Sequence, residues 1–211
     1  MGMEDQRVCL TIHNFRHQGV TSEWVLSAVG LGDPARFFDQ ARLQDDHNPF
    51  ALNLLKGGIV YSNFVTTVSP QHAWEARYTD QGAGLGHTLH VHGGKFGGIL
   101  NGVEPHVEPG GRPVDSAAVL DGENRGKVCQ HILKHHLNDH PDVHLELRLD
   151  DELGHVVYAG ADLVVMPSLF EPCGLVQQVA LKYGTPPIVR AIGGVVDTVF
   201  DHHYSGAPPE Q

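Results

Sequence analysis

The feature that most constrains this chain is the stretch from Tyr158 to Asp201, YAGADLVVMPSLFEPCGLVQQVALKYGTPPIVRAIGGVVDTVFD. Leu163 to Met166 is a short apolar run between turn signals, the pattern of a strand buried on both faces. Pro167 and Pro172 then break the chain into a loop. From Gly174 to Tyr183 the apolar positions Leu175, Val176, Val179 and Ala180 follow helical spacing. Gly184 stands where a helix end favours a residue tolerant of positive φ. Ile188 to Ile192 reads as a second buried strand. Strand, helix, strand in that order is a right-handed parallel crossover, which makes the chain α/β.

That topology has a chemical consequence. Ser168 to Gly174 and the pair Gly193-Gly194 both leave the carboxyl ends of adjacent parallel strands, the edge along which open α/β sheets bind ligands. Glu171 lies just before a helix N-terminus, and a glycine pair lets backbone N–H groups approach an anion. A carboxylate beside a phosphate-cradling loop suits a phosphorylated sugar donor. In the plainer reading, Glu171 is a solvated loop residue and the glycines only turn the chain. Spacing alone does not choose between the two.

Upstream, Val8 to Ile12 is a β-type run ending at His13-Asn14. Residues 16 to 47 are polar and loop-like, with helical fragments near Glu23 to Val29 and Pro34 to Ala41. Asn48-Pro49 reads as an N-cap with proline at the first helical position, opening a helix through Leu55 and on toward Tyr61 across Gly57-Gly58. Phe64 to Val68 is a β-branched strand, and Ser69-Pro70 caps a helix through about Arg77. Gly82 to Gly86 follows no strand, so it reads as a flexible connection and not as a phosphate loop. Phe96 to Leu100 is a third strand, ending at the turn-prone pair Asn101-Gly102. Residues 104–129 read as a linker, 130–140 as weakly helical, and Val143 to Leu149 as a half-exposed strand. The last residues, 205–211, read as a disordered tail.

The residues themselves carry a resemblance. YAGAD, the PS-x-FEPCGL-x-Q block and GG-x-x-DTV stand in the order and spacing of the donor-site segment of starch and glycogen synthases. TIHNFRHQG, NLLKGGIVYSNFVTTVSP and FGGILNGVE extend the likeness through the first half, with soluble starch synthases of class III or IV the most similar. These are retaining glucosyltransferases of the two-domain GT-B fold. The resemblance therefore implies a partial GT-B protein built from two incomplete Rossmann-like parallel-sheet domains. Residues 1–103 would form the acceptor-side domain and 130–204 the nucleotide-sugar donor domain.

It also implies an activity: transfer of glucose from ADP-glucose to the non-reducing end of an α-1,4-glucan, with retention and without a cofactor. Glu171 and His13 would be the catalytic residues, with Glu171 stabilising positive charge at the anomeric carbon and His13 facing the sugar. Asn101, Cys173, Gly174, Leu175, Gly193 and Gly194 would bind the donor, and Asn14 would lie on the sugar and acceptor side. Cys173 reads either as a packed structural thiol or as a redox-sensitive one. One position departs from the family pattern. Leu149 stands where an aromatic residue often stacks on the donor base.

Composition excludes several partners. With 25 acidic against 14 basic residues the net charge is −11, which disfavours nucleic acid and anionic membrane. No apolar run approaches the roughly 20 residues that span a bilayer. The three cysteines, Cys9, Cys129 and Cys173, offer no disulfide framework and suit a reducing compartment. The start, MGMEDQ, carries no secretory or myristoylation signal. The expected location is the plastid stroma in a plant or alga and the cytoplasm otherwise. Sixteen histidines include the pairs His90/His92, His135/His136 and His202/His203, none at structural zinc spacing, so no metal is expected.

Two family segments are missing from these residues. There is no K-x-GGL loop before the first strand and no GRL-x-x-QKG segment between Lys127 and Gln130. The arginine and lysine of the second would hold the diphosphate, and removing such electrostatic donors slows a reaction by orders of magnitude. Arg148 and Arg190 remain nearby in sequence. A chain of this length has room for about one domain of 200 residues, not two. The competing expectation is a catalytically inactive synthase fragment that binds glucan or a partner synthase subunit.

Overall fold

The computed structural model describes residues 7–30, 33–102, 142 and 150–201. The readings given above for 104–129, 130–140, Val143 to Leu149 and 205–211, together with Arg148, Leu149, Cys129 and the two later histidine pairs, lie outside the described residues.

The first half is organised by a parallel sheet. Strand β1 (Cys9–Ile12) pairs with β4 (Phe64–Thr67), which pairs with β5 (Phe96–Gly98), all in parallel. Threonines reinforce the register: the Thr11 and Thr66 hydroxyls meet at 2.9 Å, and Thr67 Oγ1 donates to the Ile12 carbonyl at 2.8 Å. The core packed on this sheet comprises Ile12, Phe15, Ile59, Val65, Ala73, Ala76, Leu85, Leu89 and Phe96. Burying each of the larger side chains contributes about 1.5–3 kcal/mol. Helices α2 (Leu54–Tyr61), α3 (Pro70–Tyr78) and α4 (Gly86–Val91) pack on it, while Leu26 of α1 (Trp24–Ala28) joins Leu43 and Leu52 in a separate cluster. Helix α3 begins as its sequence requires, with Ser69 Oγ accepting the His72 N–H and proline at the first turn.

Several expectations change. Asn48 does not cap a helix; its Oδ1 accepts the Phe50 N–H in a local turn. Residues Ala51–Asn53 form a strand, β3, which pairs antiparallel with β2 (Val20–Ser22). Helix α2 therefore starts later, capped by Asn53, whose Oδ1 accepts the Lys56 N–H. It does run through Gly57-Gly58. A Cβ at Gly57 would lie 2.9 Å from Leu43, and one at Gly58 would lie 3.0 Å from Leu10. Close packing thus offsets the helix-propensity cost of the glycine pair. The Pro34 to Ala41 fragment reduces to a 3-10 turn, Pro34–Arg36.

The Gly82 to Gly86 connection is a packed turn between α3 and α4, not a loose one. A Cβ at Gly82 would sit 2.1 Å from the Ala76 carbonyl, and Leu85 is buried.

In the second half, helix α5 (Asp151–Gly160) was not anticipated from apolar spacing. Its signals are polar: Asp150 caps it by accepting the Leu153 N–H, with Asp151 and Glu152 in the first turn. Strand β6 (Val164–Met166), helix α6 (Val176–Lys182) and strand β7 (Pro187–Val189) form the expected parallel crossover. Gly184 takes φ +82° just after α6. Burial differs from expectation. Val165 is 66% exposed and Ile188 53%, so among the described residues this two-stranded sheet is not covered on both faces. No helix among the described residues is long and apolar enough to cross a membrane.

Candidate functional site

The β1-β4-β5 and β6-β7 sheets are both parallel, so their loops leave at carboxyl edges. From the first sheet His13-Asn14 follows β1, Ser69 follows β4 and Asn101 follows β5. From the second, Pro167 to Leu175 follows β6, and the 3-10 turn Gly193–Val195 follows β7. Cross-contacts bring the two edges together. The Arg16 guanidinium lies over the Phe170 ring, 4.7 Å from its centroid, and the His72 and Phe170 rings meet edge-on at 5.6 Å.

Glu171 is the centre of the donor-side loop. Its Oε1 accepts the Gly174 N–H at 3.0 Å, and its Oε2 accepts the Ser168 hydroxyl at 3.2 Å. Burial pushes the carboxyl above its ordinary pKa, against the pull of these two hydrogen bonds. Gly174 adopts φ +71° and leaves no room for a Cβ against the Gln177 amide. Gln177 Nε2 ties the Cys173 carbonyl, at 3.2 Å, to Thr198 Oγ1, at 2.9 Å, and Gln178 Nε2 donates to the Gly174 carbonyl at 2.8 Å. Cys173 is buried and its thiol is pushed up by that burial, which fits a packed thiol better than a redox-sensitive one. Leu175 is half-buried at the start of α6.

The expected convergence of Glu171 with Gly193 and Gly194 is present, and it is closer than a shared rim. Gly194 N–H donates to the Glu171 carbonyl at 3.1 Å. A Cβ at Gly193 would fall 1.9 Å from that same oxygen, and Gly193 takes φ +50°. The phosphate-cradle expectation, however, does not hold for these two N–H groups. Gly193 N–H is held by both carboxylate oxygens of Glu75, at 3.0 and 3.1 Å, and Gly194 N–H by Glu171. With both donors already engaged, the glycines serve close backbone approach rather than anion capture.

On the other edge, His13 is exposed, and Asn14 is half-buried with its Oδ1 accepting the Arg16 N–H at 2.9 Å. Arg190 is exposed beyond β7, its own N–H bonded to the Met166 carbonyl at 3.4 Å.

Sequence reasoning missed Glu75, His72, Phe170 and Asp197. Asp197 accepts the Ser69 hydroxyl at 2.6 Å and the Gln71 N–H at 3.0 Å. The Ser69-Pro70 cap was visible in the sequence, but its distant acidic partner had no local signal. Among the described residues no group of three or more His, Cys, Asp or Glu is placed to hold a metal ion.

Comparison with known proteins places this geometry. The starch synthase catalytic domain family matches residues 2–91, and glycosyl transferases group 1 matches residues 110–209. The chain is 42% identical over 275 residues to a probable glycogen synthase 2 of Synechocystis sp., covering 100% of this chain and 56% of that protein. A probable glycogen synthase 2 of Nostoc sp. is 43% identical over 274 residues, with the same coverage of both chains. The catalytic domain of starch synthase IV from Arabidopsis thaliana, solved bound to ADP and acarbose, superposes with a TM-score of 0.78 at 30% identity. That match covers 96% of this chain and 54% of the solved one. The chain spans about half the length of the curated relatives it matches.

Proposed function

The chain belongs to the starch and glycogen synthase family, an α/β glycosyltransferase family of GT-B fold, and on that footing we propose that it transfers glucose from ADP-glucose to the non-reducing end of an α-1,4-glucan with retention. The supporting observation is the fixed Glu171 carboxylate, held by Ser168 and Gly174 at the meeting of two carboxyl sheet edges. In this reading Glu171 faces the glucosyl unit and stabilises positive charge as it develops at the anomeric carbon. His13 and Asn14 approach the sugar from β1. Asn101, Cys173, Gly174 and Leu175 shape the donor loop, and Gly193 and Gly194 make its close backbone contact possible. The reaction uses no metal or organic cofactor, and ADP-glucose is its only nucleotide. Its setting is the plastid stroma if the source is a plant or alga, and the cytoplasm otherwise.

The test is transfer of labelled glucose into glycogen by the purified chain. Glu171→Ala is expected to lower the rate by at least about a hundredfold. Unchanged transfer in that variant would remove Glu171 from the mechanism.

A second reading is favoured by the absent GRL-x-x-QKG segment between Lys127 and Gln130. Here the chain is an inactive synthase fragment that binds glucan or another synthase subunit. Calorimetric titration separates the two readings. ADP-glucose binding supports the enzyme, and maltoheptaose binding alone supports the module.

A further inference from the structure

We infer that Glu75 is a positioning residue for the Glu171 loop: by gripping the Gly193 N–H it sets the donor-side acid against the sheet that carries His13. Glu75 sits on α3, in the first half of the chain, and is 8% exposed. A carboxylate so buried is unfavourable unless donors surround it. Its donors are the Gly193 N–H, reached by both oxygens, and Gln71 Nε2 at 3.1 Å. Both oxygens of a buried carboxylate on one helix thus converge on a peptide group 118 positions away.

From Gly193 the connection to Glu171 is continuous. Gly193 packs against the Glu171 carbonyl too closely for any side chain, and Gly194 N–H donates to that carbonyl at 3.1 Å. The far end of the same turn is tied down as well, because Asp197 takes the Ser69 hydroxyl and the Gln71 N–H at the head of α3. Phe170, the residue before Glu171, rests against His72, one turn from Glu75 on the same helix. Contacts from the α3 region therefore locate both the Gly193 to Asp197 turn and the Glu171 loop packed against it. The alternative placement, with Glu171 fixed only by its own loop, leaves the buried Glu75 carboxylate without purpose.

The structural claim stands on these contacts. Its consequence for donor binding rests on the proposed role of Glu171, and the experiment separates the two. Hydrogen–deuterium exchange of the full chain is compared for wild type, Glu75→Gln, Glu75→Asp and Glu75→Ala. Glutamine keeps a carbonyl oxygen in reach of Gly193, whereas aspartate keeps the charge but shortens the reach. The expected result is exchange faster by about tenfold or more in peptides spanning 168–175 and 193–198 for the aspartate and alanine variants. Glu75→Gln stays near wild type, and peptides over β1 and β4 do not change in any variant.

Equal exchange at 168–175 in wild type and Glu75→Asp overturns the inference, as does faster exchange everywhere. Should Glu75→Ala fail to fold, the glutamine and aspartate pair still decides. ADP-glucose titration of the same proteins is read alongside. Failure of the wild type to bind removes the donor-site reading while the exchange result continues to judge Glu75.

Discussion

Asp197 accepts the Ser69 hydroxyl at 2.6 Å and so completes the N-terminal cap of a helix 128 residues earlier in the chain. The same carboxylate oxygen takes the Gln71 N–H at 3.0 Å. The carboxylate lies at the positive end of α3, where backbone N–H groups lack partners within the helix. Asp197→Ala is expected to destabilise the chain by about 2–3 kcal/mol, since two hydrogen bonds to a charged group are lost. Asp197→Asn should cost less. Urea denaturation checks this, and equal midpoints for all three proteins would refute the cap.

Lys56 is 2% exposed, and its ammonium donates to the Gln40 carbonyl at 2.7 Å, the Gln44 carbonyl at 2.8 Å and the Asp46 carboxylate. All three of its hydrogens are used. Lys56→Met leaves Asp46, among the described residues, with the Thr88 hydroxyl at 2.9 Å, and is expected to cost about 3–5 kcal/mol. A loss below about 1 kcal/mol, measured by urea titration, would mean that water replaces the ammonium at no great cost.

Two glycines should respond in opposite directions. Gly193→Ala places a methyl group 1.9 Å from the Glu171 carbonyl at a positive φ, so the turn must open. Loss of stability and of any ADP-glucose binding is expected together. Gly154 lies inside α5 with nothing within 4 Å of an added Cβ. Gly154→Ala is expected to stabilise by about 0.8–1 kcal/mol through helix propensity. Thermal melts of the two variants, shifted in opposite senses, test both claims at once.

The pH response should carry two opposed contributions. Burial raises the Glu171 carboxyl, so the folded chain binds that proton more tightly than the unfolded chain does. Its ionisation weakens the fold above the raised pKa, and the effect vanishes below the ordinary carboxylate range near about pH 4. Glu171→Gln, which keeps an oxygen for the Gly174 N–H, should therefore be more stable than wild type at neutral pH. That advantage should shrink on acidification. A constant difference from pH 7 to 4 would contradict the shift.

His72 behaves in the opposite sense. Burial lowers its pKa, outweighing the Glu75 carboxylate that faces its ring. The unfolded chain takes up that proton first, so stability is lost as pH falls below about 6.5. His72→Phe keeps a ring between Phe15 and Phe170 and should flatten this part of the profile. Stability–pH curves of the two proteins provide the check.

Much of the local structure was legible because the signals are themselves local. FVTTV forms β4, Ser69-Pro70 opens α3, and Gly184 ends α6, each through backbone preferences of the residues involved. The order of β6, α6 and β7 was enough to place Glu171 and the Gly193-Gly194 pair on one edge, since parallel strands force their loops to the same end. The family likeness carried by the EPCGL and TIHN blocks needed no coordinates either.

What only the tertiary structure decided involves partners without a side-chain signature. Asn48-Pro49 reads as a cap in sequence, yet the pairing of β2 with β3 moves the helix start to Asn53. Gly193 and Gly194 look like free anion donors until Glu75 and the Glu171 carbonyl occupy them. The physical reason is the same in each case. A backbone N–H is identical at every position, so which distant group satisfies it is settled by packing and not by any pattern along the chain.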